Sequence, residues 1–92
     1  MKKKRHIPVI SFNELELKQK KPQVYKSLIE GIAEAIEEKK DEIKLCEVKY
    51  ANTYLTVHKD NWSGSLAKAM NFYIENEQYE VCSKIKNLID KL

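Results

Sequence analysis

Apolar positions change period twice along this chain, and each change marks an element. Tyr25, Leu28, Ile29, Ile32, Ala35 and Ile36 recur at spacings of three and four, with Lys26, Glu30, Glu34 and Glu37 between them. That period predicts one amphipathic helix, placed at 22–40 because Lys21-Pro22 precedes it and proline is favoured at the first helical position. From 43 to 59 the period drops to two: Cys46, Val48 and Tyr50 alternate on one run, Leu55 and Val57 on the next. Two such runs predict a β-hairpin. With Ala51-Asn52 at the turn centre, Tyr50 pairs with Thr53, Val48 with Leu55 and Cys46 with Val57. The opposite face then carries Leu45, Glu47, Lys49, Tyr54, Thr56 and His58. Ala-Asn is not a preferred turn pair, so a four-residue loop with the same pairing fits equally well.

The helical period returns at Leu66, Ala69, Met70, Tyr73 and Ile74, and again at Tyr79, Cys82, Ile85, Leu88, Ile89 and Leu92. The joint near Asn76 is so short that these two helices should form an antiparallel αα-hairpin. Asp60-Asn61-Trp62-Ser63-Gly64-Ser65 is the strongest turn cluster. It predicts a helix starting near Leu66, capped by Ser63 or Ser65 and stapled at its entry by Trp62. Gly64 could hold an anion there, although capping explains the cluster more simply. The fold class expected is therefore α+β: an N-terminal arm, one amphipathic helix, a β-hairpin and a C-terminal antiparallel αα-hairpin.

Residues 1–21 read as a basic and apolar arm, and 22–92 as a single small α+β domain. In the arm, Lys2 to His6 is charge. Ile7-Pro8-Val9-Ile10 reads as extended because proline pushes its predecessor out of the helical region. Ser11 and Glu14 have capping-box spacing, predicting one helical turn that carries Phe12, Leu15 and Leu17. Two strands alone are marginal. The hairpin therefore needs cover from the first helix, or a third strand from Ile7–Ile10 or from another subunit, and its exposed edge invites pairing.

Composition narrows the class. Ninety-two residues, 42% of them hydrophobic and 34% charged, suit one soluble core. No uncharged run approaches the roughly 18–20 apolar residues a membrane span needs, and the basic start is not followed by an apolar stretch and cleavage site. No membrane association is expected. The net charge of +3 hides an asymmetry: residues 1–26 hold eight Lys/Arg against Glu14 and Glu16, and residues 27–92 hold nine against twelve acids. A basic leader on an acidic body is a solvated tail, or else a contact for nucleic acid or an acidic surface. Arg5 is the single arginine among 17 basic residues, which disfavours base readout by bidentate contacts. Cys46 and Cys82 form neither a disulfide framework nor a zinc motif, and buried neutral thiols in a reducing cytoplasm fit them best. The Lys-, Asn- and Ile-rich composition suggests a bacterial or phage source, so the expected location is the cytoplasm, host cytoplasm or virion.

Known catalytic and nucleotide-binding motifs are missing from the chain, so no cofactor, metal or enzymatic activity is expected. His58 with Asp60 could form an acid–base pair. Cys46 could meet His58 only if the hairpin register slipped by one.

From Leu66 to Leu92 the chain resembles the UVR motif, a short helical hairpin of bacterial excision-repair proteins. Tyr79, Glu80, Cys82, Ser83, Ile85, Lys86, Asn87, Ile89 and Leu92 occupy the frame of that family's second helix. Leu66 and Met70 fall where the first helix places its leucine and methionine. The resemblance implies association with another copy or a partner rather than catalysis.

The function expected is a non-catalytic protein–protein interaction module, an accessory, inhibitory or structural subunit of a bacterial or phage assembly. Its partner is another protein or an identical copy. The expected partner-binding residues are Ile7, Ile10, Phe12 and Leu15 from the arm, Tyr54 from the outer sheet face and Phe72 from off the helical stripe, since aromatics are enriched at interfaces. The arm is expected either to fold back on its own domain or to dock on a neighbour's acidic body. The alternative is nucleic-acid binding through Lys2, Lys3, Lys4, Arg5, Lys18, Lys20 and Lys21.

Overall fold

The structure is a computed structural model that describes residues 7–11 and 13–92. The expectations for Lys2, Lys3, Lys4, Arg5 and Phe12 lie outside those residues. Two residues of the arm, Val9–Ile10, form strand β1, followed by a six-residue helix α1, Glu14–Gln19. The long helix α2 runs Lys21–Glu38, then strands β2 (Glu42–Val48) and β3 (Thr53–His58). A 3₁₀ turn at Lys59–Asn61 leads into α3 (Trp62–Glu75), and α4 (Tyr79–Asp90) completes the helical hairpin. The fold is α+β and ends on two helices, as the periodicity predicts.

The sheet has three strands in the order β1-β2-β3. β1 lies parallel to β2, Val9 beside Glu47 and Ile10 beside Val48. The amides of Glu47 and Lys49 donate to the carbonyls of Pro8 and Ile10, at 2.9 and 2.7 Å. The third strand thus comes from the chain's own arm, and Ile10 is 2% exposed there. Of the sources left open for a third strand, the structure uses Ile7–Ile10, and Ile10, expected to bind a partner, is buried within its own fold.

The hairpin register also differs from the expected one. Val48 pairs with Thr53 and Cys46 with Leu55, a slip of two residues that opens a four-residue loop at 49–52. Tyr50 and Asn52 take positive φ in that loop, 68° and 54°. A slip of two preserves the faces, because side chains alternate with period two. Beyond Cys46 a bulge intervenes, and Lys44 pairs with Thr56, Ile43 with Val57 and Glu42 with His58. Leu45 is the extra residue, so it packs partly against the core instead of lying on the outer face. Its carbonyl accepts a 2.7 Å bond from the buried hydroxyl of Ser27 on α2.

The core joins Leu28, Ile32 and Ala35 of α2, Ile43 of β2, Trp62, Leu66, Ala69 and Tyr73 of α3, and Ile85 and Leu88 of α4. Trp62 belongs to the core and to the helix itself rather than stapling its entry: it is 3% exposed and its Nε1–H donates to the Val57 carbonyl at 2.9 Å. The helix therefore begins at Trp62, not near Leu66, and Ser63, Gly64 and Ser65 lie inside its first turn instead of capping it.

Candidate functional site

The helices cover one face of the sheet, and the partner pairs fix which residues point the other way. Ile43, Cys46, Val48, Leu55, Val57 and Ile10 share the inner face. Val9, Glu47, Tyr54, Lys44 and Thr56 share the outer one. On that outer face Val9 and Tyr54 are each 41% exposed. Lys44 Nζ sits 4.6 Å from the centroid of the Tyr54 ring, a cation–π contact on the outer face. On the inner face Leu55, near the loop end, remains 38% exposed.

The edge of β3 completes this region. Among the described residues no strand pairs with its far side. The Lys59 amide donates to the Asp41 carbonyl at 2.7 Å. In an antiparallel ladder, hydrogen-bonded and non-bonded pairs alternate, so Val57 turns its backbone groups toward β2 while Thr56 turns its own away. The same alternation along β3 turns Tyr54 outward and Leu55 inward. Thr53-Tyr54-Leu55-Thr56-Val57 contains no charge and no proline. It therefore lacks the usual devices that block strand addition.

The remaining expected residues are used differently. Phe72 is half-buried against the core, with ring centroids 5.0 Å from Tyr25 and 5.1 Å from Tyr73. Burial, with a smaller contribution from Glu30, pushes the Tyr73 hydroxyl above its ordinary pKa. Leu15 is 65% exposed on α1, while Ile7 is half-buried beside Gly31, Ala35 and Ile43. Tyr54 is thus separated from the arm residues and from Phe72. Of the basic set, Lys18 and Lys21 are exposed, but Lys20 is engaged within the chain. Its Nζ donates to the Val9 carbonyl at 2.8 Å and pairs with Glu16 at 3.0 Å. The hydroxyl of Ser11, then Lys20, holds the Glu16 carboxyl below its ordinary range.

His58 and Asp60 do meet, but locally. His58 Nδ1 accepts from the Asp60 amide at 3.3 Å and lies 3.4 Å from its carboxylate. One nitrogen cannot accept from the amide and donate to the carboxylate together, and the amide bond caps the 3₁₀ turn. Cys46 faces Leu55, not His58, and burial pushes its thiol pKa up. Cys82 Sγ lies 3.8 Å from the Met70 carbonyl. Among the described residues no cluster of three or more His, Cys, Asp or Glu could hold a metal ion, and no helix is long and apolar enough to cross a membrane.

Sequence reasoning singled out Tyr54 and the pairing-prone hairpin edge, and missed Lys44, Val9 and Leu55. Lys44 could be placed beside Tyr54 only once the bulge was known, and Val9 on the same outer face, across β2, only once the parallel β1 register was. Compared with known proteins, the chain matches no family, no curated protein and no solved structure.

Proposed function

We propose that this chain is a non-catalytic protein–protein interaction module, an accessory, inhibitory or structural subunit, that binds by adding a strand to the edge of β3. One observation carries the reading. Five consecutive uncharged residues, Thr53 to Val57, lie on a sheet edge whose outward backbone groups at Tyr54 and Thr56 have no strand beside them among the described residues. Main-chain bonds along such an edge supply affinity, and the alternating side chains supply selectivity. Tyr54 under Lys44 forms the outer wall of the docking strip. Leu55 forms the inner one. The UVR-like text of α3 and α4 agrees with a role in association.

The test uses Thr56→Pro. Proline removes an amide that makes no bond to β2, so the fold should persist while strand addition fails. A protein partner purified on the wild-type chain should lose binding to Thr56→Pro and keep it with Lys18→Ala/Lys21→Ala. Binding that survives Thr56→Pro contradicts the reading. So does salt-sensitive binding to unrelated DNA duplexes, which would favour the nucleic-acid alternative.

A further inference from the structure

We infer that the strand added to β3 is β3 of a second copy, giving a two-fold dimer with one continuous six-stranded sheet. The inference rests on the proposed edge-binding reading and names its partner.

Backbone geometry restricts the pairing. Only residues whose backbone groups point outward, Tyr54, Thr56 and the terminal His58, can exchange hydrogen bonds with a neighbouring strand, so a self-paired β3 must place one outward residue opposite another. Setting Tyr54 opposite Thr56 of the second copy puts the two-fold axis at Leu55, which then faces Leu55 of the other chain. Thr53 meets Val57. This register keeps all five pairs within Thr53–Val57 and stops short of the 3₁₀ turn at Lys59–Asn61.

The side chains are self-complementary in that register. Leu55, 38% exposed on the inner face, meets its own copy where side chains of a non-bonded pair come closest. On the outer face the Tyr54 rings become diagonal neighbours, within reach of each other across the axis. Each ring already carries Lys44 at 4.6 Å, so a row of Lys44, two tyrosines and the second Lys44 spans the axis. No charged residue of β3 faces another. Glu47, paired with Tyr54, and Lys44, paired with Thr56, stand at opposite ends of each cross-sheet row, so every row joins a glutamate of one copy to a lysine of the other. An unrelated peptide would have to match this alternation of apolar and polar residues and of charge. A second copy matches it by symmetry.

The experiment combines sedimentation velocity over a hundredfold concentration range with disulfide mapping in a Cys46→Ala/Cys82→Ala background. The wild-type chain should shift from monomer toward dimer as concentration rises. Thr56→Pro should remain monomeric with an unchanged circular dichroism spectrum. If that variant does not fold, Leu55→Lys, which sets like charges against each other across the axis, replaces it with the same expectation. Under mild oxidation Leu55→Cys should give a covalent dimer. Thr53→Cys should not, because Thr53 and its copy sit four residues apart along the strand, on the order of 13 Å. A chain that stays monomeric throughout overturns the inference yet leaves edge binding of a different protein intact. A dimer that survives both Thr56→Pro and Leu55→Lys, or that cross-links at Thr53 instead of Leu55, also overturns it. Loss of the separately captured partner's edge dependence would overturn the broader reading instead.

Discussion

At one edge of the sheet, two residues of β1 are fastened from several sides. At the other, the first five residues of β3, Thr53 to Val57, present an uncharged edge. Around β1, Lys20 reaches the Val9 carbonyl and Glu16, Ser11 reaches Glu16, and Asn13 caps α1 by accepting from the Leu15 and Glu16 amides at 2.9 and 3.3 Å. These bonds close the edge with a short strand that leads straight into a helix, one of the ways proteins prevent sheet-to-sheet pairing. No comparable cover exists at β3 among the described residues. The contrast teaches that the open edge does not follow from a lack of chain to cover it. The arm that could have lain beside β3 is spent on β2.

The largest way to break this contrast is to remove what anchors β3 to the body. Trp62→Ala should destabilise the protein by about 3–5 kcal/mol, since it empties a core site and frees the Val57 carbonyl from its indole bond. Thermal or denaturant unfolding reads this directly. Next comes a paired proline scan. Leu55→Pro removes an amide turned toward β2, whereas Thr56→Pro removes one turned outward. The first should cost about 2 kcal/mol more than the second. Equal costs would show that the deduced orientation of β3 is wrong.

Ser27→Ala tests the bulge that sets the registry of the outer face. It leaves the Leu45 carbonyl without its Ser27 partner beneath α2 and should cost about 1–3 kcal/mol, with the amides around Leu45 and Cys46 exchanging faster. The smallest effect concerns the closed edge. Because the Glu16 carboxyl is held below its ordinary range, its contribution is complete above the usual carboxylate pKa. It is lost as pH falls through the depressed value. Below the usual carboxylate range, therefore, the Glu47 and Lys49 amides that donate to β1 should lose protection before the β2–β3 ladder does. Glu16→Gln should remove that pH dependence.

Much of this fold was legible in the sequence because burial leaves a period. The stripe from Tyr25 to Ile36 and the two stripes after Leu66 locate α2, α3 and α4. Lys39 ends α2 in a left-handed conformation, φ 57°, that no glycine advertises. The hairpin was legible as a hairpin but not in register. The alternation of Cys46, Val48, Leu55 and Val57 is satisfied equally by slips of two, and the bulge at Leu45 depends on a hydroxyl eighteen residues away in α2. Trp62 falls one turn before Leu66 on the same stripe but is hidden inside what reads as a turn cluster, whereas Phe72 lies off the stripe and contacts Tyr25 of α2. The candidate site was half legible, since Tyr54 stood out as an aromatic on the outer face, while Lys44 reaches it only through the bulged pairing.

Amide hydrogen exchange, followed residue by residue at low and high protein concentration, addresses the central claim most directly. The outward amides of Tyr54 and Thr56 should exchange freely in dilute solution and become protected together as concentration rises, while the Glu47 and Lys49 amides, already bonded to β1, stay unchanged. If Tyr54 and Thr56 exchange at the same rate at every concentration, no strand of a second copy lies against β3, and the account of that edge is contradicted.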